Sequence, residues 1–457
     1  MAAAHPQPDP DNLGLQVAII GAGITGITLA LGLKARGVLF TIYERASGFR
    51  EIGAGIGFSP NAERAMEALN TGVLSAFKRV ANPNGQDYFQ WVDGYRSGEL
   101  MFKLYLGKDG FQGCRRSDIL EEWAKQLPAS AVRFGKEIDT ITESGPGRPL
   151  LLHFKDGTSA FAHAAIGCDG IRSRVRQLIL SPINSLHQPL PSPAGPSYTG
   201  KFCFRVLAPM GLAMSALGEQ LATTRFMYTG PDAHVVTYPV ADNTLLNILV
   251  VLSDASETWQ HAHFTAPGSK AEVLAAFSDW TPTVRTIVDR LLPSGELEKW
   301  AIFDMAQYPC PFYAQGRVCI AGDAAHAAGP HLGAGGGMGI EDALVLSELL
   351  LGAQLYYDNH SSGGGDVMLG IEKALAIYSD VRYARTQEVV SATREACDLF
   401  QWKDGLKVGR DPERFAREVT RLFHGVWAYD LDGMVTEALN RLAEEAVKGL
   451  VPESFNF

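Results

Sequence analysis

Residues 15–45, LQVAIIGAGITGITLALGLKARGVLFTIYER, leave this chain few folds to choose from. An apolar run, Val17 to Ile20, leads into glycines at 21, 23 and 26, then a helix-length stretch of small and apolar residues, then a second strand-like run ending in Glu44. In a strand–turn–helix of this spacing the first glycine permits the tight turn. The second lets a pyrophosphate approach the backbone, and the third lets the helix lie close to the strand. The free N–H groups at the helix start favour phosphate, and an acid about 20 residues on can accept ribose hydroxyls. Gly21, Gly23, Gly26 and Glu44 therefore predict a parallel α/β dinucleotide-binding unit, with Arg45 a weaker candidate for the adenosine end.

Length and charge narrow the setting. At 457 residues the chain can bury two or three cores, and a formal net charge of −10 argues against nucleic acid or an anionic membrane as the main partner. Cys114, Cys168, Cys203, Cys310, Cys319 and Cys397 have neither C-x-x-C spacing nor metal-site spacing, and read as reduced, buried thiols. The first 14 residues are polar and Pro-rich, unlike a secretory signal, and no apolar run approaches the ~18–20 residues that span a bilayer. A cytoplasmic protein with no membrane span is expected.

In chain order, residues 1–14 read as a disordered leader and 15–185 as the first part of the nucleotide domain. Within the latter, Gly53, Gly55 and Gly57 precede Ser59-Pro60-Asn61, suggesting backbone beside a flat ligand or a plain glycine-rich hairpin. Strand-like alternation near 87–105 is expected to join a second sheet, and a helix opens at Ser117 or Asp118. The Pro-rich stretch 181–196 marks a domain crossing into a sheet-rich block, 186–300, with strands at 197–207, 223–228, 234–240 and 244–252 and helices near 269–278 and 281–292. Nucleotide-type sequence returns over 301–398, including a loop at 357–366 and a long helix from about 371; helices fill 399–457.

Three separated motifs carry a family resemblance: GAGITG with Glu44; Asp169-Gly170 completed by Ser173 and Arg176; and Gly322-Asp323-Ala324-Ala325-His326 followed by Pro330, Gly333, Gly335 and Glu341-Asp342-Ala343. Over residues 15–400 the chain resembles the single-component FAD-dependent aromatic hydroxylases, in particular the salicylate-hydroxylase-like fungal monooxygenases. The resemblance implies an α/β fold: a Rossmann-like FAD-binding domain, an inserted mixed β-sheet substrate domain and C-terminal helices. It implies non-covalent FAD, with NADPH or NADH as transient reductant and O2 as co-substrate. Asp323 would meet the ribityl chain, Arg116 the ribityl–phosphate side, Asp169 the cofactor, and Gly57, Gly335 and Gly336 would lie along it. His326 reads mainly as a loop-holding residue.

Alternation in the middle block then selects faces. Arg205 lies opposite Phe202, Phe204 and Val206, and Tyr238 shares a face with His234 and Val236. An arginine in an apolar strand needs an anion if buried: a neighbouring carboxylate, or a substrate phenolate or carboxylate. In the fungal hydroxylases that dearomatise polyketide-derived resorcinol aldehydes for azaphilone-type pigments, the matching positions bind the phenolate and orient the ring. By resemblance, Arg205 and Tyr238 are the catalytic pair, with His234, Pro330 and His331 lining the substrate, and the reaction runs through a C4a-hydroperoxyflavin. Salicylate-type decarboxylating or simple phenol hydroxylation, and a non-catalytic flavin-binding redox sensor, remain open alternatives.

Overall fold

A computed structural model describes residues 15–49, 55–82, 86–107, 110–143, 145, 148–185, 195–256, 258–359, 365–403 and 410–450. The 1–14 leader lies outside these residues, as do Gly53, much of the Pro-rich crossing and part of the 357–366 loop. Six strands form the nucleotide sheet. Gln16–Ile20 sits near its centre, parallel to Leu39–Glu44 on one side and Ala164–Gly167 on the other, and Val318–Ile320 lies beyond the latter. Helix Ile24–Ala35 packs behind the central strand and contacts helix Gly335–Asn359 extensively. Its near-continuous apolar sequence follows from burial on all sides, with nine of its twelve residues buried.

An eight-stranded sheet forms the second layer, in the order Thr265–Ser269, Glu296–Asp304, Ser197–Pro209, Leu245–Ser253, Ala233–Val240, Phe226–Gly230, Tyr88–Asp93, Leu100–Tyr105. The last two strands come from the N-terminal half of the chain. Strand Glu296–Asp304 runs across residue 300, where the sequence suggested a boundary, because its residues pair with Ser197–Phe204. Two short helices absent from the sequence reading, Met210–Leu217 and Glu219–Thr223, help cover the far face. There they join Phe204, Val235, Ile248, Val250 and Phe277 in a core. Helix 281–292 is real but divided: Pro282–Thr286 is α-helical and Ile287–Leu291 is a π turn. The helix expected at Ser117 or Asp118 begins at Arg116, with Arg115 as an N-cap that makes no side-chain cap bond; Arg115 instead pairs with Asp118 at 2.8 Å.

All six cysteines are free and buried. Among the described residues no helix is long and apolar enough to cross a membrane.

Helix Gly335–Asn359 and helix Gly365–Phe400 are joined by a buried ionic cluster. Arg382, fully buried, donates to Glu341 Oε2 and Asp342 Oδ1, both at 2.7 Å. Asp342 Oδ2 also accepts the Gly322 N–H at 2.8 Å and lies 2.6 Å from His326 Nε2. Burial alone would raise the Asp342 carboxyl; His326 and Arg382 outweigh it and hold the group well below the usual carboxylate range. Removing one partner of such a cluster leaves uncompensated charge in the interior. Arg382→Ala is expected to cost about 3–5 kcal/mol, read from the denaturant midpoint. A change within about 0.5 kcal/mol would show that the cluster is not needed for the packing of these two helices.

Candidate active site

Two cavities are lined by the motif residues, and the glycine turn borders the first of them. The first, about 360 Å³, is lined by Gly21, Gly23, Glu44, Arg45, Asp169 and Arg172 among others. The three glycines there are constrained differently. Gly21 has φ +107°, and a Cβ on it would lie 2.4 Å from the Cys168 carbonyl oxygen; one on Gly26 would lie 2.0 Å from the Gly21 carbonyl oxygen. Around Gly23 there is open space within 4 Å. Gly21 and Gly26 are therefore demanded by the protein's own packing, whereas Gly23 keeps a path clear for something outside it.

Glu44 clamps this loop, accepting the Ala22 N–H through Oε2 and the Ala46 N–H through Oε1, both at 2.8 Å. Asp169 Oδ2 accepts the N–H groups of Arg174 and Val175 at the start of helix Arg174–Ser185, while its Oδ1 is buried without a hydrogen-bond partner. Arg176 donates to the Ala324 and Ile171 carbonyls, tying the Asp-Gly segment to the Gly322–His326 turn. Two motifs far apart in the chain thus meet as one support.

The second cavity, about 260 Å³, lies between Asp323 and loop 328–336 on one side and the large sheet on the other. Gly57, Arg116, Asp323, Gly335 and Gly336 line the first side, together with Pro330 and His331; Arg205, His234 and Tyr238 line the sheet side. The sheet register explains this company. Leu249 faces Arg205 and Val236, and Val236 faces Met227; in the next row Asn247 faces Tyr238. These residues point toward the cavity, and the alternate residues of the same strands form the core on the far side.

The arginine criterion used on the sequence applies to a different residue. Arg205 is exposed at the cavity edge, its guanidinium 5.2 Å from the Trp300 ring, so its charge needs no buried partner. Arg225, at the start of strand Phe226–Gly230, is the buried one at 5% exposure, and it lines the same cavity. It was legible in Thr224-Arg225-Phe226-Met227, an arginine in an apolar strand like that containing Arg205. Phe111, Asn247 and Phe423 also line the cavity and carried no sequence signal.

His234 and His331 are buried neighbours, rings edge-to-face at 5.5 Å; neither His234 nitrogen nor His331 Nδ1 has a hydrogen-bond partner. Burial, with Lys201 nearby, pulls the His234 ring down to about 3, and burial, with His234 and Lys201, takes His331 well below the usual histidine range. Both are neutral at physiological pH. Tyr238, pushed up to about 12 chiefly by burial despite the nearby Arg225, is a neutral phenol able to donate.

The residues present fit a flavin dinucleotide: an open approach at Gly23, an unpartnered carboxylate oxygen at Asp169, and Asp323 at the mouth of helix Gly335–Asn359 beside three consecutive glycines. Fold and site together define a flavoprotein, and a family model described as "FAD binding domain" matches residues 14–190 and 211–355. The chain belongs to the FAD-dependent monooxygenases. It is 47% identical to FAD-dependent monooxygenase orf3 of Aspergillus niger, over 93% of this chain and 96% of that protein. It is 48% identical to FAD-dependent monooxygenase pigN of Monascus ruber, over 94% and 96%. A solved salicylate hydroxylase substrate complex aligns with TM-score 0.78 and 31% identity, covering 93% of this chain and 98% of that one.

The site makes two predictions. Gly23→Val places its Cβ in open space on the cofactor's path, so it should leave the Tm of FAD-free protein within about 2 °C while abolishing FAD binding; Asp323→Ala, losing a charged hydrogen bond of roughly 1.5–3 kcal/mol, should weaken FAD at least about tenfold. Flavin titration by fluorescence quenching checks both, and wild-type affinity in the Gly23 variant would show that the loop has been misplaced.

The second prediction concerns pH. A histidine depressed to about 3 when folded, against roughly 6.5 unfolded, takes up its proton preferentially in the unfolded chain, so stability falls as pH drops below about 6.5. His234→Phe should remove up to about 2 kcal/mol of the stability lost between pH 7 and pH 5, seen as a flatter denaturant midpoint against pH. An unchanged slope would mean that His234 is charged in the native state.

Proposed function

We propose that the second cavity binds an electron-rich phenol as its phenolate and that the enzyme hydroxylates the ring carbon held toward the flavin side. The substrate class we favour is a polyketide-derived resorcinol aldehyde, dearomatised by the reaction. The observation that carries this reading is that one cavity has the flavin-motif residues Asp323 and 328–336 on one wall and Arg205, Tyr238 and Asn247 on the other. Bound FAD, reduced by NADPH or NADH, would deliver one oxygen atom of O2 to the ring as electrophilic OH, the other leaving as water.

The protein supplies charge, orientation and dryness. A guanidinium beside a phenol favours its ionised form, which makes the ring a better nucleophile. Tyr238 O–H, neutral and able to donate, fixes which carbon is presented. His234 and His331 add polar contacts without adding charge. A salicylate-type decarboxylating hydroxylation is the second reading. It is favoured by the solved salicylate hydroxylase complex and by the 37% identity to salicylate hydroxylase asL1 of Sarocladium schorii.

Turnover of salicylate, simple resorcinols and resorcinol aldehydes with NADPH or NADH, followed by product mass and chirality, separates the two: loss of CO2 supports the second, and a chiral dienone one oxygen heavier supports the first. Arg205→Ala and Tyr238→Phe should retain FAD yet lower product formed per NAD(P)H on the order of a hundredfold, since a misplacement of about 1 Å suffices for that. Arg205→Ala should also shift its activity to higher pH, because the bound phenol loses the cation that lowers its pKa. Coupled, wild-type-like turnover by both variants across pH would remove the two residues from the site.

A further inference from the structure

Arg225 is a buried charge. Among the described residues no carboxylate lies within ion-pair distance of it, and its Nε is buried without a hydrogen-bond partner. Its guanidinium instead sits among rings, 4.6 Å from the centroid of Phe111, 5.0 Å from Tyr238 and 5.7 Å from Phe89. Room for it comes from a cross-strand glycine pair, Gly57 opposite Gly113. A Cβ on either would stand 3.7 Å from Nη1 or 3.5 Å from Nη2, and 3.1 Å from the ring of Phe111 or Tyr238 respectively. Phe111 itself holds φ +52°, a strained conformation for a bulky residue that the surrounding packing must enforce. Burial lowers the guanidinium only to about 10, so the group stays cationic.

Stabilising an unpaired buried cation by aromatic faces alone recovers a part of what desolvation costs. The missing partner is then an anion brought from outside, and the cavity is the way in. Arg205 and Arg225 stand on strands three spacings apart, about 14 Å across the sheet, with Leu249, Asn247, Val236 and Tyr238 between them. We infer that Arg225 is a second anion-binding residue, holding an acidic oxygen of the substrate other than the one at Arg205, and that the enzyme is thereby selective for phenols bearing two acidic oxygens. The inference rests on the phenol-binding reading of this cavity.

The test uses the FAD-loaded enzyme and measures the Kd of a resorcinol aldehyde with both ring hydroxyls free, and of its two mono-O-methyl ethers, by flavin absorbance difference. Wild type is expected to bind each ether roughly tenfold or more weakly than the free resorcinol. Arg225→Met should erase that penalty for one ether and Arg205→Ala for the other, while Arg225→Lys keeps most of the discrimination. FAD content should be unchanged in all, and the substrate-free Tm of Arg225→Met should be equal to or above wild type, since an unpaired charge has been removed. Discrimination retained in Arg225→Met, equal weakening of all three ligands, or an altered flavin midpoint potential with discrimination intact would each overturn the inference; the last would place Arg225 against the flavin. Failure of wild type to bind any of the phenols overturns the functional reading itself and the inference with it.

Discussion

Much of the molecule hangs on two carboxylates in the second turn of helix Gly335–Asn359. Glu341 and Asp342 are fully buried. Between them they receive Arg382 from the long helix, the Asn61 amide from the first helix after the glycine hairpin, the Gly322 N–H and the His326 ring. Three segments distant in sequence are thereby fixed to one turn of helix. Two of them lie beside the cofactor motifs: the Asp323 turn and the Pro60–Leu69 helix behind Gly57. A buried ion cluster is a poor source of net stability, because desolvation consumes most of the attraction. Its effect here is registry: each partner can satisfy its charge in one arrangement, and that arrangement sets the position of Asp323 relative to helix Gly335–Asn359.

The same division between holding and binding runs through the motifs. Glu44 spends both carboxylate oxygens on backbone N–H groups, Ala22 of the glycine turn and Ala46 of its own loop, yet each oxygen keeps a further lone pair and the residue lines the first cavity. Asp169 uses one oxygen to start a helix and leaves the other without a partner. Arg176 makes carbonyl contacts within the protein, and His326 belongs to the ionic cluster. Motif residues thus include both ligand groups and the groups that aim them.

This explains what the sequence could and could not disclose. Glycine spacing, the terminal acid and the Asp-Gly and Gly-Asp segments are local patterns, each forced by backbone geometry within a few residues, so they were readable. Period-two alternation likewise put Tyr238, His234 and Val236 on one face, as the register has them. What alternation does not contain is depth. Arg205 and Arg225 present the same pattern in their strands, and burial of one and exposure of the other depend on which strands lie beside them. Arg225 is covered by Phe89 from strand Tyr88–Asp93 and by Phe111, both more than a hundred residues earlier in the chain. The Met210–Leu217 helix escaped for a related reason: its apolar residues answer to a sheet face assembled from distant strands.

The cavity's polar groups also sort by how they bear burial. Imidazole loses its proton easily, so His234 and His331 respond to a dry site by becoming neutral. Phenol gains its proton more firmly, so Tyr238 remains a donor. Guanidinium does neither: its charge survives burial that silences the histidines, as Arg225 shows. The site's positive charge is therefore carried by arginine and persists through neutral pH, below the value of about 10 to which burial lowers Arg225. Any pH dependence of substrate binding then reports the ionisation of the substrate in the field of fixed cations, and a histidine-based site of the same shape would lose that field as it dried.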